Sequence, residues 1–315
     1  MLPEGRCGNV LMSYEDRPHN WDAWDINMYY TEKFWEIGDG AEIAVIEKGP
    51  VRTGLRIRHK YLNSTIEQRV YLYADLPRID LEHDIHWEED HILLKLLFPT
   101  DIHANEATFD IQYGNVKRCT HANTSWDAAK FEVCMHKWMD VSEEGYGLSI
   151  LNDCKYGCNV REGVIGLTLL KSATNPNPAA DKEDHSFTFS LYPHEGGWRE
   201  AGTVAQAYYL NDPLQTIVKK SEGGTRAKEF SFVTCQAENV VVEAVKQAEK
   251  GNGIVARLYE CYDRRTETEL RFGLPLRSAA VCNMLEEEAQ PLAFEKDTLK
   301  LSFRPYEIKT LLLEF

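Results

Sequence analysis

The stretch Arg78–Glu89 reads RIDLEHDIHWEE, and the fall of its apolar residues decides the fold class. Ile79, Leu81, Ile85 and Trp87 share one parity, whereas Asp80, Glu82, Asp84, His86 and Glu88 share the other. Successive side chains on extended backbone point to opposite sides, so a repeat of two marks a strand with one buried and one solvated face. A helix would need apolar positions every three or four residues.

The same alternation spreads outward from this segment. HSFTFSLYPH (185–194) places Phe187, Phe189 and Leu191 on one face, and LRIRHKYL (55–62) and VYLYADLP (70–77) are rich in β-branched and aromatic residues. Near the end, LKLSFRPYEIKTLLLEF (299–315) predicts two short strands separated by Pro305. Leu299, Leu301 and Phe303 point inward on the first, and Ile308, Thr310 and Leu312 on the second. The best helical candidate, AVKQAEKG (244–251), is short, and KGNG (250–253) reads as a tight hairpin turn. The expected class is all-β and antiparallel. The polar, glycine-containing stretch KKSEGGTRAKE (219–229) predicts a boundary, giving a large antiparallel β-sandwich over 1–222 and a small β-sandwich over 223–315.

Composition narrows the partners. The 315 residues are 43% hydrophobic, enough for a sizeable core, and carry a formal charge of −15 spread along the chain. That field repels phosphate backbones and anionic lipid surfaces, so neither nucleic acid nor a membrane is an expected partner. No apolar run approaches the ~20 residues needed to span a bilayer. The opening MLPEGRCGNV lacks a basic region followed by an apolar one, which predicts no signal peptide and a cytoplasmic setting. Eight cysteines are then expected to be free thiols, and Cys154 and Cys158 lack the second pair that a zinc site would need.

Three groups of residues could carry chemistry. The acidic face of Arg78–Glu89, with His86 beside Glu88, offers carboxylates for acid–base or metal work, but it also reads as an ordinary solvated face. In YEDRPHNWDAWDI (14–26), Asp16, Trp21, Asp22, Trp24 and Asp25 mix indoles with carboxylates. An indole face stacks on the apolar face of a pyranose while a carboxylate accepts hydroxyl hydrogen bonds, so this is a sugar-site pattern as well as a common loop pattern. LNDCKYG (151–157) sets Asn152, Asp153, Lys155 and Tyr156 at the end of an apolar strand, as a turn or as a loop that reaches something. THANTSWDAAKFE (120–132) and LLKSATNPNPAAD (169–181) are explained by turn formation. No nucleophile elbow, phosphate-binding glycine loop or zincin motif is present.

Several of these stretches, in this order, resemble the C-terminal part of family 38 glycoside hydrolases, the α-mannosidases of the cytosolic or vacuolar type. They are EDRPHNWDAWDI (15–26), HWEEDHILLKLLFP (86–99), the long block from Asp110 to Gly157, LLKSATNPNPAADKEDHSFTFSLYPH (169–194) and NVVVEAVKQAEKGNGIVARLYE (239–260). The resemblance implies a truncated galactose-mutarotase-like supersandwich followed by a small sandwich. It also implies a retaining exo-α-mannosidase that uses a divalent metal, usually zinc, with nucleophile, acid and metal ligands mostly in an N-terminal α/β domain. None of the ten histidines here has Asp two positions on, so the family's His-x-Asp metal motif is missing. The chain is therefore expected to be a fragment without catalytic residues, metal ligands or cofactor of its own, inactive alone, with the N-terminal catalytic domain as partner and mannosides as substrates. Its expected sugar-facing residues are Asn152, Asp153, Lys155, Tyr156, Lys171, His194, Trp21 and Asp22. Lys171 stands where the family tends to show arginine, and lysine loses the bidentate fork. Cys119 and Ala122 depart from residues often found in the family. The competing expectations are a free-standing carbohydrate-binding module and an oligomerisation domain using exposed strand edges.

Overall fold

The computed structural model describes residues 2–218, 223, 225 and 227–315. The protein is an all-β, antiparallel chain that divides into two compact units: residues 1–111 with 116–214, and residues 112–115 with 215–315. The predicted linker 219–229, with its boundary at 222/223, falls largely on residues outside the described set. No helix among the described residues is long and apolar enough to cross a membrane.

In the larger unit, a nine-stranded sheet runs in the order Glu42–Lys48, Arg52–Tyr61, Ser64–Tyr73, Ile79–His86, Asp184–Glu195, Tyr146–Asn152, Trp138–Glu143, Glu106–Ile111, Gly114–Cys119. A six-stranded sheet runs Val133–Cys134, Gly157–Arg161, Val164–Leu170, Ile92–Pro99, Val10–Glu15, Phe34–Glu36. One core joins the two. Ile66, Leu81, Ile85, Phe187 and Phe189 from the first sheet pack in the same cluster as Leu94, Leu96, Phe98, Ile165 and Leu167 from the second.

Register explains which parity is buried. Val70, Leu81 and Phe189 stand opposite one another on three adjacent strands, as do Gln68, His83 and Phe187. The inward parity of Arg78–Glu89 therefore includes His83, which is buried and stacked on Phe187 at 4.8 Å. Its Nδ1 donates to the Leu81 carbonyl at 3.0 Å and its Nε2 accepts from Gln68 Nε2 at 2.9 Å. The outward carboxylates Glu82 and Asp84 pair with Arg69 on the neighbouring strand at 3.0 and 2.5 Å, so that face is a cross-strand ladder of opposite charges. Toward the Glu42–Lys48 edge the core-side parity is left uncovered: Ile43, Val45, Leu55 and Leu72 are exposed.

In the smaller unit, Val233–Cys235, Thr266–Phe272 and Thr298–Phe303 form one sheet. Val240–Gln247, Ile254–Glu260, Ile308–Glu314, Ser278–Cys282 and Gln290–Pro291 form the other. Leu258, Leu270, Leu299, Leu311 and Leu313 lie in its core.

Two sequence expectations are corrected here. AVKQAEKG is not helical: Val240–Gln247 is a strand paired with Ile254–Glu260, because the Val240–Val242 run and the hairpin outweigh the helix preference of Ala, Lys and Gln. In the last strand the core parity is Leu311 and Leu313, while Ile308 and Leu312 are half-buried. Three consecutive leucines conceal the phase. Among the described residues the helices are short, Ser125–Ala128 and Thr203–Asn211, with a 3₁₀ turn at Met28–Glu32.

Burial holds the His83 imidazole neutral and lowers its pKa to about 4, partly opposed by the Leu81 carbonyl. The unfolded state, with an ordinary value near ~6.5, binds that proton first as pH falls. Stability should therefore drop between roughly pH 6.5 and 4, and His83→Gln should flatten that slope in urea titrations. An unchanged slope would mean that His83 charges without cost.

Candidate functional site

Three adjacent strands of the six-stranded sheet bring the ends of separate sequence segments together. Antiparallel pairing sets the end of Val10–Glu15, the start of Ile92–Pro99 and the end of Val164–Leu170 on one rim. The residues just beyond are Asp16, His91 and Lys171. Backbone hydrogen bonds tie them in sequence, Asp16 N to His91 O at 2.7 Å and His91 N to Ser172 O at 2.9 Å. The Lys171 ammonium donates to Asp16 Oδ2. Asp22 reaches the same rim, its Oδ2 accepting from the Thr174 and Asn175 amides at 2.8 and 3.0 Å. His91 Nε2 meets Thr174 Oγ1 at 3.1 Å, and His91 Nδ1 lies 3.8 Å from Asp22 Oδ1.

Asp16 Oδ1, Asp22 Oδ1 and His91 Nδ1 are buried atoms with no hydrogen-bond partner in the protein. Buried polar atoms are nearly always satisfied, so three unsatisfied ones on a single rim require a reason. The backbone adds to this: Trp21, His91, Ser172 and Asp181 all have φ between +54° and +61°. Left-handed backbone is costly for residues with a Cβ, and such residues gather where a structure fixes functional groups. Trp21 and Trp24, by contrast, are each 71% exposed.

The two carboxylates differ in electrostatics. Burial raises the Asp16 pKa against the opposing pull of Lys171. At Asp22 burial also opposes ionisation, but the Thr174 and Asn175 amides, with His91 and Lys171, outweigh it and hold the carboxyl below its ordinary range.

The structure thus gathers Asp22 and Lys171 in one cluster with Trp21 adjoining in sequence. The LNDCKYG residues are held differently. Asn152 is buried, its amide donating to the His136 carbonyl at 2.9 Å and its carbonyl accepting from the Cys154 and Lys155 amides at 3.2 and 2.9 Å. Asp153 Oδ2 accepts from the Thr188 amide at 2.8 Å. Those bonds make a turn, which sets Lys155 over the Phe187 ring and leaves Tyr156 about half exposed beside His136. His194 is buried in a polar network, with Nε2 2.8 Å from Asp140 Oδ2 and 3.1 Å from Ser149 Oγ. Gly147 is needed there, since a Cβ would stand 2.3 Å from both His194 and Ser142.

Sequence reasoning did not single out His91, Thr174 or Asn175. His91 follows an acidic run and Thr174 sits in a proline-rich turn, and no spacing rule links either to Asp22. Burial, then the Asp153 carboxylate, pushes the Cys154 thiol up to about 11, and burial raises that of Cys158 further.

Residues 1–179 match the glycosyl hydrolases family 38 C-terminal domain, and residues 239–311 match the family 38 C-terminal beta sandwich domain. The chain is 38% identical to alpha-mannosidase 2C1 of Homo sapiens over 99% of its own length and 30% of the relative's. It is 37% identical to alpha-mannosidase G of Dictyostelium discoideum, over 98% and 29% respectively. The chain thus spans about 30% of these curated relatives. The crystal structure of an alpha-mannosidase from Enterococcus faecalis V583 superposes with a TM-score of 0.79 at 19% identity, covering 98% of this chain and 38% of that one. At that identity the likeness concerns the fold.

Lys171→Met would strand Asp16 as a buried carboxylate without its cation. It should cost about 3 kcal/mol of stability in chemical denaturation, and adding Asp16→Asn should recover much of that loss. Because Asp22 is held low in the folded state, its contribution is present at neutral pH and is lost as pH falls through its folded value. Asp22→Asn should therefore lower stability at pH 7 and flatten the acid limb of the stability profile.

Proposed function

The chain belongs to glycosyl hydrolase family 38, and from that premise we propose that it is the C-terminal β-region of a retaining α-mannosidase. In this reading it supports a catalytic portion and supplies one wall of the sugar site. The observation that carries it is the pair of exposed indoles, Trp21 and Trp24, on the segment that Asp16 and Asp22 tie to the rim. An indole covers the apolar face of a sugar ring, and the Asp16 and Asp22 carboxylates behind it hold the segment that presents it. Lys171 pairs with Asp16 and fixes it in place. Lys155 and Tyr156 are further wall residues, while Asn152 and Asp153 shape the turn that presents them and His194 anchors the sheet behind.

Retaining hydrolysis needs two carboxyl groups about 5–5.5 Å apart across the scissile bond. We assign both, with the divalent metal of the family, to the catalytic portion. The His-x-Asp motif is missing from these 315 residues, and the rim cluster, with its lysine, is a poor cation site. The role of this chain is orientation and exclusion of water. The exposed shelf of Ile43, Val45, Leu55 and Leu72 is a surface that the catalytic portion would cover. All eight cysteines are free, which suits the reducing cytoplasm.

Hydrolysis of an aryl α-mannoside tests this directly. The chain alone should be inactive, and mixing with a separately expressed N-terminal portion should restore turnover. In that mixture Trp21→Ala with Trp24→Ala should raise KM about tenfold, the loss of one to two stacking contacts. Turnover by the chain alone would sink the proposal. Mannose-dependent quenching of its tryptophan fluorescence, without gain on mixing, would instead identify a free-standing carbohydrate-binding module. A mass that rises with concentration in light scattering would point to an oligomerisation role for the shelf.

A further inference from the structure

Among the described residues, a thiol, an imidazole and a carboxylate come together in the THANTSWD loop: the donor atoms of Cys119, His121 and Asp127 all lie within 4.8 Å of one another. We propose that these three residues form a binding site for one zinc-type divalent cation, separate from the sugar rim and from the metal that the family resemblance assigns to an N-terminal domain.

Chemistry favours such an ion. Thiolate and imidazole together select borderline-soft cations over magnesium or calcium, and three protein ligands leave a fourth, water-filled position of the open zinc type. In a tetrahedral site with bonds of about 2.0–2.3 Å the donors stand roughly 3.3–3.7 Å apart. Closing the group from 4.8 Å thus takes movements on the order of an ångström, within reach of side-chain rotation. Cys119 gives up its proton as the Zn–S bond forms, so the thiolate and the Asp127 carboxylate together neutralise the ion.

The loop is organised in advance. Arg161 donates to the His121 carbonyl at 2.6 Å, to the Asp127 carbonyl at 2.6 Å and to the Lys130 carbonyl at 2.9 Å. One guanidinium therefore holds the backbone of two of the three ligands. Thr120, between Cys119 and His121, is bonded through both its hydroxyl and its amide to the Ala104–Asn105 backbone, at 2.6 and 3.0 Å. The Thr124 hydroxyl orients Asp127 at 2.7 Å, the kind of outer support that metal ligands receive. Lys130 approaches the other Asp127 oxygen at 3.6 Å and must swing aside if both oxygens bind; single-oxygen ligation leaves it in place. His121 also lines a cleft of about 590 Å³ with Thr120, Asn123, Asp101, His103 and Glu162, which gives an ion and its water a way in.

Cobalt(II) titration of the purified chain tests the proposal, because thiolate ligation produces a charge-transfer band that oxygen and nitrogen ligands do not. The band should saturate at one equivalent, disappear on zinc addition, vanish in Cys119→Ser and persist in Cys154→Ser. Should Cys119→Ser misfold, zinc-dependent protection of Cys119 from alkylation, read by peptide mass spectrometry on the unaltered chain, serves in its place. A band that survives Cys119→Ser, or alkylation of Cys119 at the same rate with and without zinc, overturns the proposal.

Discussion

The larger unit depends on the twelve-residue strand Asp184–Glu195, which pairs with Ile79–His86 along one side and Tyr146–Asn152 along the other. Period-two geometry makes it do two jobs at once. Phe187 and Phe189 enter the core, while the edges of the same strand fix polar groups: the Thr188 amide holds Asp153, Ser190 donates to Asp80 at 2.6 Å, and His194 meets Asp140. A slip of one residue would exchange the two faces, turning phenyl rings toward solvent and hydroxyls toward leucines. The register of this strand therefore sets both the core and the placement of the turn after Asn152.

Around that core the chain buries ionisable groups, and Lys95 is the most fully enclosed of the described cations. Lys95 lies in an apolar run, yet its parity points away from Leu94 and Leu96, and it is fully enclosed. Its ammonium donates to Glu132, whose other oxygen accepts from Thr168 at 2.7 Å while Asn159 bridges Glu132 and Tyr30. Burial, then the Glu132 charge, raises the Tyr30 phenol well above its ordinary range. Such a pair adds little net stability over an apolar substitute, but its loss on one side leaves an uncompensated charge. What it enforces is the docking of Phe131–Glu132 onto the outer face of the six-stranded sheet.

The rim of Asp16, Asp22 and His91 differs in that its partners are incomplete. Asp16 and Asp22 each spend one oxygen on the protein and keep one in reserve, and the backbone around them is left-handed at four residues with side chains. The metal group in the THANTSWD loop follows a different logic, in which Arg161 fixes backbone and leaves the side-chain donors to close. Both sites lie on loops carried by strand ends, where a rigid sheet can hold irregular backbone in one shape.

Alternation in Arg78–Glu89 and His185–His194 was enough to read an all-β fold, because parity is a local property. The quoted blocks also carried the family likeness. Phase was harder: His83 shares the parity of Leu81 but reads as polar, and three leucines in a row conceal which ones face inward. Ala244–Gly251 looked helical because propensity is weak beside the pairing partner that decides it. The clusters belong to tertiary structure alone. Asp22 meets Thr174 across 152 residues and Lys171 meets Asp16 across 155, and only the antiparallel order of three neighbouring strands brings those ends to one rim. Sequence determined which residues are extended and which chemistry they carry; the folded sheets decided which of them meet, because strand pairing joins positions that no local spacing connects.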